Sequence, residues 1–323
     1  MVRHGGLPSI VVAPSVGYID DMSPITIVSV TFSGDARLSV LQALSVDRLF
    51  PVDEIDEYLL VLNDPDPAAL ESFFRRHLAG RVSPELWAKI RFLAPSDIVD
   101  TSGTRGQRSQ QLVKLHVSRL VRTEHYLLLD AKNMFVRPTT IDDFWLGGRI
   151  RTQVKPVTSY WLPYVTASLD ILGVPSDGAW ADTSMPTITP YLMITSDVRG
   201  LLEDLSDRVG DAPAAAWEVS HGKATEFYLY YAYLVKIYGE EVPYVHSTPV
   251  CHTLFTTWPQ EHDKALEMIQ ATSTDDLPMF GVHRARLPQL SRVQTGALHA
   301  LWGEHLLAKW EDANWFLQPE YTL

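Results

Sequence analysis

Two strand-like runs, the β-branched Ile25-Thr26-Ile27-Val28-Ser29-Val30-Thr31-Phe32 and the apolar Tyr58-Leu59-Leu60-Val61-Leu62, each lead into a turn and then a helical pattern. Such runs put apolar side chains on both faces of a strand. The sheet must therefore be covered on both sides, which is the situation of a parallel sheet packed between helices. After the first run, Ser33-Gly34-Asp35 opens a helical pattern reaching Leu49, with Asp35 placed to cap it. After the second, Asn63-Asp64-Pro65-Asp66-Pro67 is a turn, and residues 68–78 read as a helix. A short strand is expected at 89–93, an amphipathic helix over 107–121, and a further buried strand over 125–129 that ends on Asp130. Strand and helix alternate throughout, so the expected fold class is α/β with a mostly parallel, doubly wound sheet flanked by helices.

The second half reads differently. Helices are expected at 160–172, 196–209, 225–238, 261–270 and 290–309, two of them rich in aromatics, with prolines between them and no fixed-period repeat. The expected organisation is a flexible leader over 1–24, an α/β half over 25–150 and a helix-rich half over 151–323 of the same compact unit. In the leader, Ile10-Val11-Val12-Ala13 lies between Pro8 and Pro14 and is too short to span a bilayer, and no other segment reaches ~18 uninterrupted apolar residues. The net charge of −12, spread without long single-sign runs, argues against nucleic acid or an anionic membrane surface as partner. The single cysteine, Cys251, excludes an internal disulfide framework and a cysteine-rich zinc site. It reads as a core residue of a cytoplasmic protein.

In open α/β sheets ligands bind beyond the carboxyl ends of the strands, which is where Asp130 stands. A carboxylate there, with an oxygen ligand a few residues on, can hold a divalent cation that grips a diphosphate; it can equally serve only to cap a turn. Upstream, Gln107-Arg108-Ser109-Gln110-Gln111-Leu112-Val113-Lys114 starts a helix. Its N-terminus, with Arg105, Arg108 and Lys114, suits phosphate or sugar hydroxyls, unless the first turn is simply solvated. Glu226 follows Thr225 in the first turn of a helix carrying Tyr228, Tyr230, Tyr231 and Tyr233. Capping alone explains it, yet a carboxylate among aromatics is also what a sugar acceptor site or a general base uses. The tyrosines cover too much of that helix to form one stripe, so some belong to the core and some are free to stack on sugar rings. Near the end, Phe280-Gly281-Val282-His283-Arg284-Ala285-Arg286 closes a strand with a histidine and two cations, and His246 and His252 are weaker candidates for chemistry. The dinucleotide fingerprint, the phosphate loop and the nucleophile elbow are all absent from the sequence.

The segments Gln110-Gln111-Leu112-Val113-Lys114-Leu115 and Thr123-Glu124-His125-Tyr126-Leu127-Leu128-Leu129-Asp130-Ala131-Lys132-Asn133-Met134-Phe135-Val136-Arg137-Pro138 resemble a bacterial family of largely uncharacterised glycosyltransferase-like proteins. The likeness runs from about Ile25 to His283, and Thr225-Glu226-Phe227 matches a Ser/Thr-Glu-aromatic motif in the acceptor half. The resemblance implies a GT-A-like fold in which 25–150 binds a nucleotide sugar and 151–323 binds the acceptor. It implies transfer of a hexosyl-type group to a hydroxyl of a glycan or small molecule. Donor contacts would come from Thr31, Phe32 and Ser33 at the base and ribose, and from Arg108, Gln111, Lys114, Asp130 and Lys132 at the diphosphate. Asp130 and Glu226 would be catalytic. A manganese or magnesium ion would sit on Asp130, Asn133 and His283. The sequence departs from the Asp-x-Asp pattern of such sites, because Lys132 stands where the second aspartate is expected. Either Asp130 and Asn133 share the cation with help from elsewhere, or Lys132 itself neutralises the diphosphate and no metal is needed. Two other functions fit the same scaffold: a sugar nucleotidyltransferase, which would carry a glycine-rich loop that is missing after the first strand, and an inactive nucleotide-sugar or glycan-binding protein.

Overall fold

The computed structural model describes residues 23–104, 106–177 and 179–318. Arg105 and all but the last two residues of the expected leader lie outside the described residues. In chain order the first half contains β1 (Ile25–Thr31), α1 (Ala36–Leu49), β2 (Ile55–Leu62), α2 (Pro67–Leu78), α3 (Pro84–Trp87), β3 (Ile90–Leu93), α4 (Gln107–His116), β4 (His125–Asp130) and β5 (Asn133–Phe135). β4, β1, β2 and β3 lie side by side and parallel. The molecule is a mixed α/β protein with a parallel-rich central sheet. All seven residues of β1 are buried, as expected of an apolar run flanked on both sides.

The second half completes this sheet. The strand Tyr191–Ile194 pairs antiparallel with β4 and gives the order Tyr191–Ile194, β4, β1, β2, β3. A second sheet forms where Met279–Val282 pairs antiparallel with β5 and parallel with Cys251–Leu254. A third joins Tyr244–His246 to Arg149–Thr152 and Trp145–Leu146. Its long helices are Leu162–Leu172, Thr195–Val209, Glu226–Tyr238, His262–Thr274 and Arg292–His305.

Registry fixes what meets at the functional edge. Val30 pairs with Asp130 and Thr31 with Leu62, so Thr31-Phe32-Ser33, Asn63-Asp64 and Asp130-Ala131-Lys132 emerge side by side. Asn133 pairs with Gly281 in the second sheet, which carries the following His283 and Arg284 back to the same edge. The clearest local departure from the sequence reading is Asp35. It occupies the cap position of α1, but its side chain makes no capping bond and lies instead 3.3 Å from Arg284.

Candidate active site

The turn after β4 is clamped from beneath. Gln42, buried in α1, donates from Nε2 to the carbonyls of Asp130 and Asn133, both at 2.7 Å, while its Oε1 accepts from the Tyr58 hydroxyl at 2.9 Å. Asn133 locks the turn from above. Its Oδ1 accepts from the Asp130 amide at 3.1 Å and from Thr189 Oγ1 at 2.6 Å, and its Nδ2 donates to the Thr189 carbonyl. The fully buried amide of Asn133 thus has its oxygen engaged within the turn.

Above this turn four charged side chains meet. Lys114, 6% exposed on α4, lies 2.8 Å from Asp130 Oδ1 and 3.5 Å from Glu226 Oε1. Lys132 Nζ contacts Asp130 Oδ2 and lies 3.3 Å from Thr189 Oγ1. Burial opposes the charge on Asp130, but the two lysines outweigh it and hold the carboxyl well below the usual range. Burial also opposes the charge on Lys114, yet Asp130 and Glu226 hold its ammonium pKa above the ordinary value. Glu226 is raised, because burial there prevails over the single cation Lys114. Its N-terminal position is set by Thr225, whose hydroxyl accepts from the Tyr228 amide at 3.2 Å; the cap is the threonine, and the glutamate is left to the cluster.

At the end of β1 the Arg284 guanidinium lies 5.0 Å over the Phe32 ring. Asp35 beside it is pushed up to about 6, by burial first, with Arg284 opposing and Asp130 adding to the rise. His283 is lowered by burial, with Lys132 and Arg284 adding to the effect. Asp64 accepts the Ser33 amide at 2.7 Å and fixes the loop. Thr31 does not reach this surface: it is fully buried, with its hydroxyl 2.6 Å from Ser39 Oγ.

On the other side of Glu226 an open cleft of roughly 270 Å³ is bounded by Arg108, Gln111, Tyr160, Trp161, Tyr164 and Glu226. Gln111 Oε1 accepts from Arg108 at 3.0 Å and from Trp217 Nε1 at 3.0 Å, so the Gln111 oxygen aims Arg108. The tyrosines after Glu226 do not supply the cleft's aromatic wall. Tyr228, Tyr230 and Tyr231 are buried, and the Tyr231 hydroxyl donates to the carbonyls of Trp180 and Thr183. The wall is Tyr160, Trp161 and Tyr164, with Tyr160 66% exposed. A second, smaller cavity is lined by Thr189, Cys251, Tyr191 and Tyr244. None of the charged cluster lines it. Burial pushes the Cys251 thiol up to about 11, in line with a core residue. His246 and His252 lie outside both cavities; His246 Nδ1 accepts the Val154 amide.

As arranged, the expected metal set does not fit a divalent cation. Both Asp130 oxygens face ammonium groups, Asn133 Oδ1 is engaged, and His283 Nδ1 accepts the Ala285 amide. Among the described residues no three His, Cys, Asp or Glu side chains group closely enough to hold an ion.

A family model matches residues 22–271, well over half the chain. The chain belongs to DUF6492, a family of unknown function. The matched stretch contains Lys114, Asp130, Lys132 and Glu226, while His283 and Arg284 lie beyond it. No curated protein matches this DUF6492 sequence. Among solved structures, the bifunctional glycosyltransferase WbbM is similar at 11% identity and a TM-score of 0.43, over 80% of this chain and 45% of its own. Galactosyltransferase LgtC in complex with donor and acceptor sugar analogs is similar at 10% identity and 0.44, over 90% and 99%. Glycosyltransferase GlyE of Streptococcus pneumoniae TIGR4 is similar at 12% and 0.43, over 91% and 62%. The DUF6492 chain thus spans less than half the length of WbbM. No helix among its described residues is long and apolar enough to cross a membrane.

Proposed function

We propose that this protein transfers a glycosyl group from a nucleotide sugar to a hydroxyl acceptor. The observation that carries the reading is the chain of contacts Lys132–Asp130–Lys114–Glu226, which joins a cationic strand end to a carboxylate facing an aromatic cleft. Phosphate oxygens require cations held in place, and the strand end offers Lys132 and Arg284. Sugar rings present apolar faces and hydroxyl edges, and Tyr160, Trp161 and Arg108 supply complements to both. Phe32 and Ser33 border the strand end on the side where the nucleoside would lie.

In this reading the acceptor hydroxyl enters by the cleft and hydrogen-bonds to Glu226. Its oxygen forms the new bond to the anomeric carbon, and the bond from that carbon to the diphosphate breaks with its electron pair leaving on the nucleoside diphosphate. The hydroxyl proton passes to Glu226, whose raised pKa suits it to receive one. Asp130 holds the two lysines at their positions, and the cationic strand end stabilises the charge that develops on the leaving group.

The test is purified protein incubated with a panel of nucleotide sugars, with and without acceptor sugars, followed by mass spectrometry of products. Release of nucleoside diphosphate, with transfer to an added acceptor, is expected. Formation of a nucleotide sugar from a sugar phosphate and a nucleoside triphosphate would identify a nucleotidyltransferase instead, and saturable donor binding without turnover on any acceptor would identify a binding protein. Absence of both binding and hydrolysis would end the proposal.

A further inference from the structure

We infer that Lys132 stands in the place of a divalent cation, so that this site holds a nucleoside diphosphate without metal. The inference rests on the donor-site reading above and concerns how that site meets the diphosphate charge.

Lys132 is not a mobile surface lysine. Its side chain is 11% exposed, and its backbone belongs to the turn clamped by Gln42, with its carbonyl accepting the Val282 amide at 3.0 Å. The ammonium contacts Asp130 and lies near Thr189 Oγ1, and its charge is felt by Asp35 and His283. Asp130 is the strand-end carboxylate on which a hard cation would otherwise have to sit. Here the positive charge beside it is covalently part of the chain.

Charge balance agrees. Asp35, Asp130 and Glu226 are paired with Arg284, Lys132 and Lys114, three carboxylates against three cations. The carboxylates are already neutralised by side-chain cations, whereas a divalent cation needs an excess of carboxylate to hold it. An ion bound at Asp130 would also have to displace two ammonium groups or lie against them. An ammonium has three donors. Asp130 and Thr189 occupy two, which leaves one for a phosphate oxygen arriving from the open side.

The experiment is calorimetric titration of the protein, stripped of metal and held in EDTA, with uridine, guanosine, adenosine and cytidine diphosphates, repeated in manganese. At least one diphosphate is expected to bind in EDTA, with manganese changing its Kd by less than about threefold. Loss of one charge-assisted contact should weaken binding of Lys132→Ala by roughly tenfold to a hundredfold, while Lys132→Arg should stay near wild type. The decisive variant is Lys132→Asp: it should fail to bind in EDTA and regain binding in manganese. Thermal melts of all three variants separate loss of binding from loss of fold. Wild-type binding that appears only with manganese, or an unchanged Lys132→Ala affinity, overturns the inference while leaving the glycosyltransferase reading in place. No diphosphate binding under either condition overturns both.

Discussion

Replacing Lys114 by methionine probes the cluster most directly, because it removes one buried charge while keeping an unbranched side chain only one atom shorter. In the wild type the ammonium neutralises Glu226, itself 6% exposed, and one oxygen of Asp130. Removing one partner of a buried pair costs about 3–5 kcal/mol, since the orphaned charge stays out of water. Asp130 keeps Lys132 and is 27% exposed at its side chain, so the loss falls mainly on Glu226 and the lower figure, about 3 kcal/mol, applies. The pH dependence supplies a second, independent check. Glu226 has a folded pKa above its unfolded value even with Lys114 present, and its loss raises that pKa further. An acid of this kind binds more protons folded than unfolded, so stability is gained as pH falls through the folded pKa. Asp130 is depressed, so its contribution is present above the unfolded carboxylate pKa and is lost only at more acidic pH. The deficit of Lys114→Met relative to wild type should therefore narrow between pH 7.5 and pH 5.5. Urea-unfolding midpoints followed by tryptophan fluorescence at both pH values measure it. A deficit below about 1 kcal/mol at pH 7.5, or one that widens on acidification, would refute the assignment of Lys114 as the shared counter-ion.

Two further substitutions test the turn and the cleft. A Cβ at Gly281 would stand 2.7 Å from Thr253 Oγ1 and 3.2 Å from Asn133 Nδ2, so Gly281→Ala should destabilise by about 1–3 kcal/mol and weaken diphosphate binding, read by melting and by calorimetry. Glu226→Gln should lower turnover by roughly a hundredfold or more while nucleoside diphosphate affinity stays within a few-fold, and a parallel loss of both would deny it a role at the acceptor.

The parallel sheet was legible because β1, β2 and β4 are buried on both faces, and a strand in that position writes its environment into every residue. Helices in the second half were legible from their period, with Thr225 marking the start of Glu226–Tyr238. Tyr191–Ile194 and Cys251–Leu254 were not, since four residues carry no usable period and owe their existence to partners far away in the chain. The same distinction runs through the site. Lys114, Asp130, Lys132 and Glu226 stood out because each lies at the start or end of an element, or beside one, or on a helix feeding a strand end. Asp35 and Asn133 were assigned roles by local position, a cap and a ligand, but Arg284 and Thr189 decide what they do. Gln42 gave no signal, as a polar residue between Leu41 and Ala43 looks like an ordinary helix position until the turn it supports is seen.

The antiparallel strand Tyr191–Ile194 has a consequence for how such a chain can be cut or recombined. Leu127, Leu128 and Leu129 of β4 are fully buried, and this strand pairs with His125 to Leu128 along the outer hydrogen-bonding side of β4. A fragment ending near residue 150 would expose that row of amides and carbonyls beside three leucines, an open template for pairing with other chains. Exchange of the helix-rich half between relatives therefore has to leave a strand in that slot.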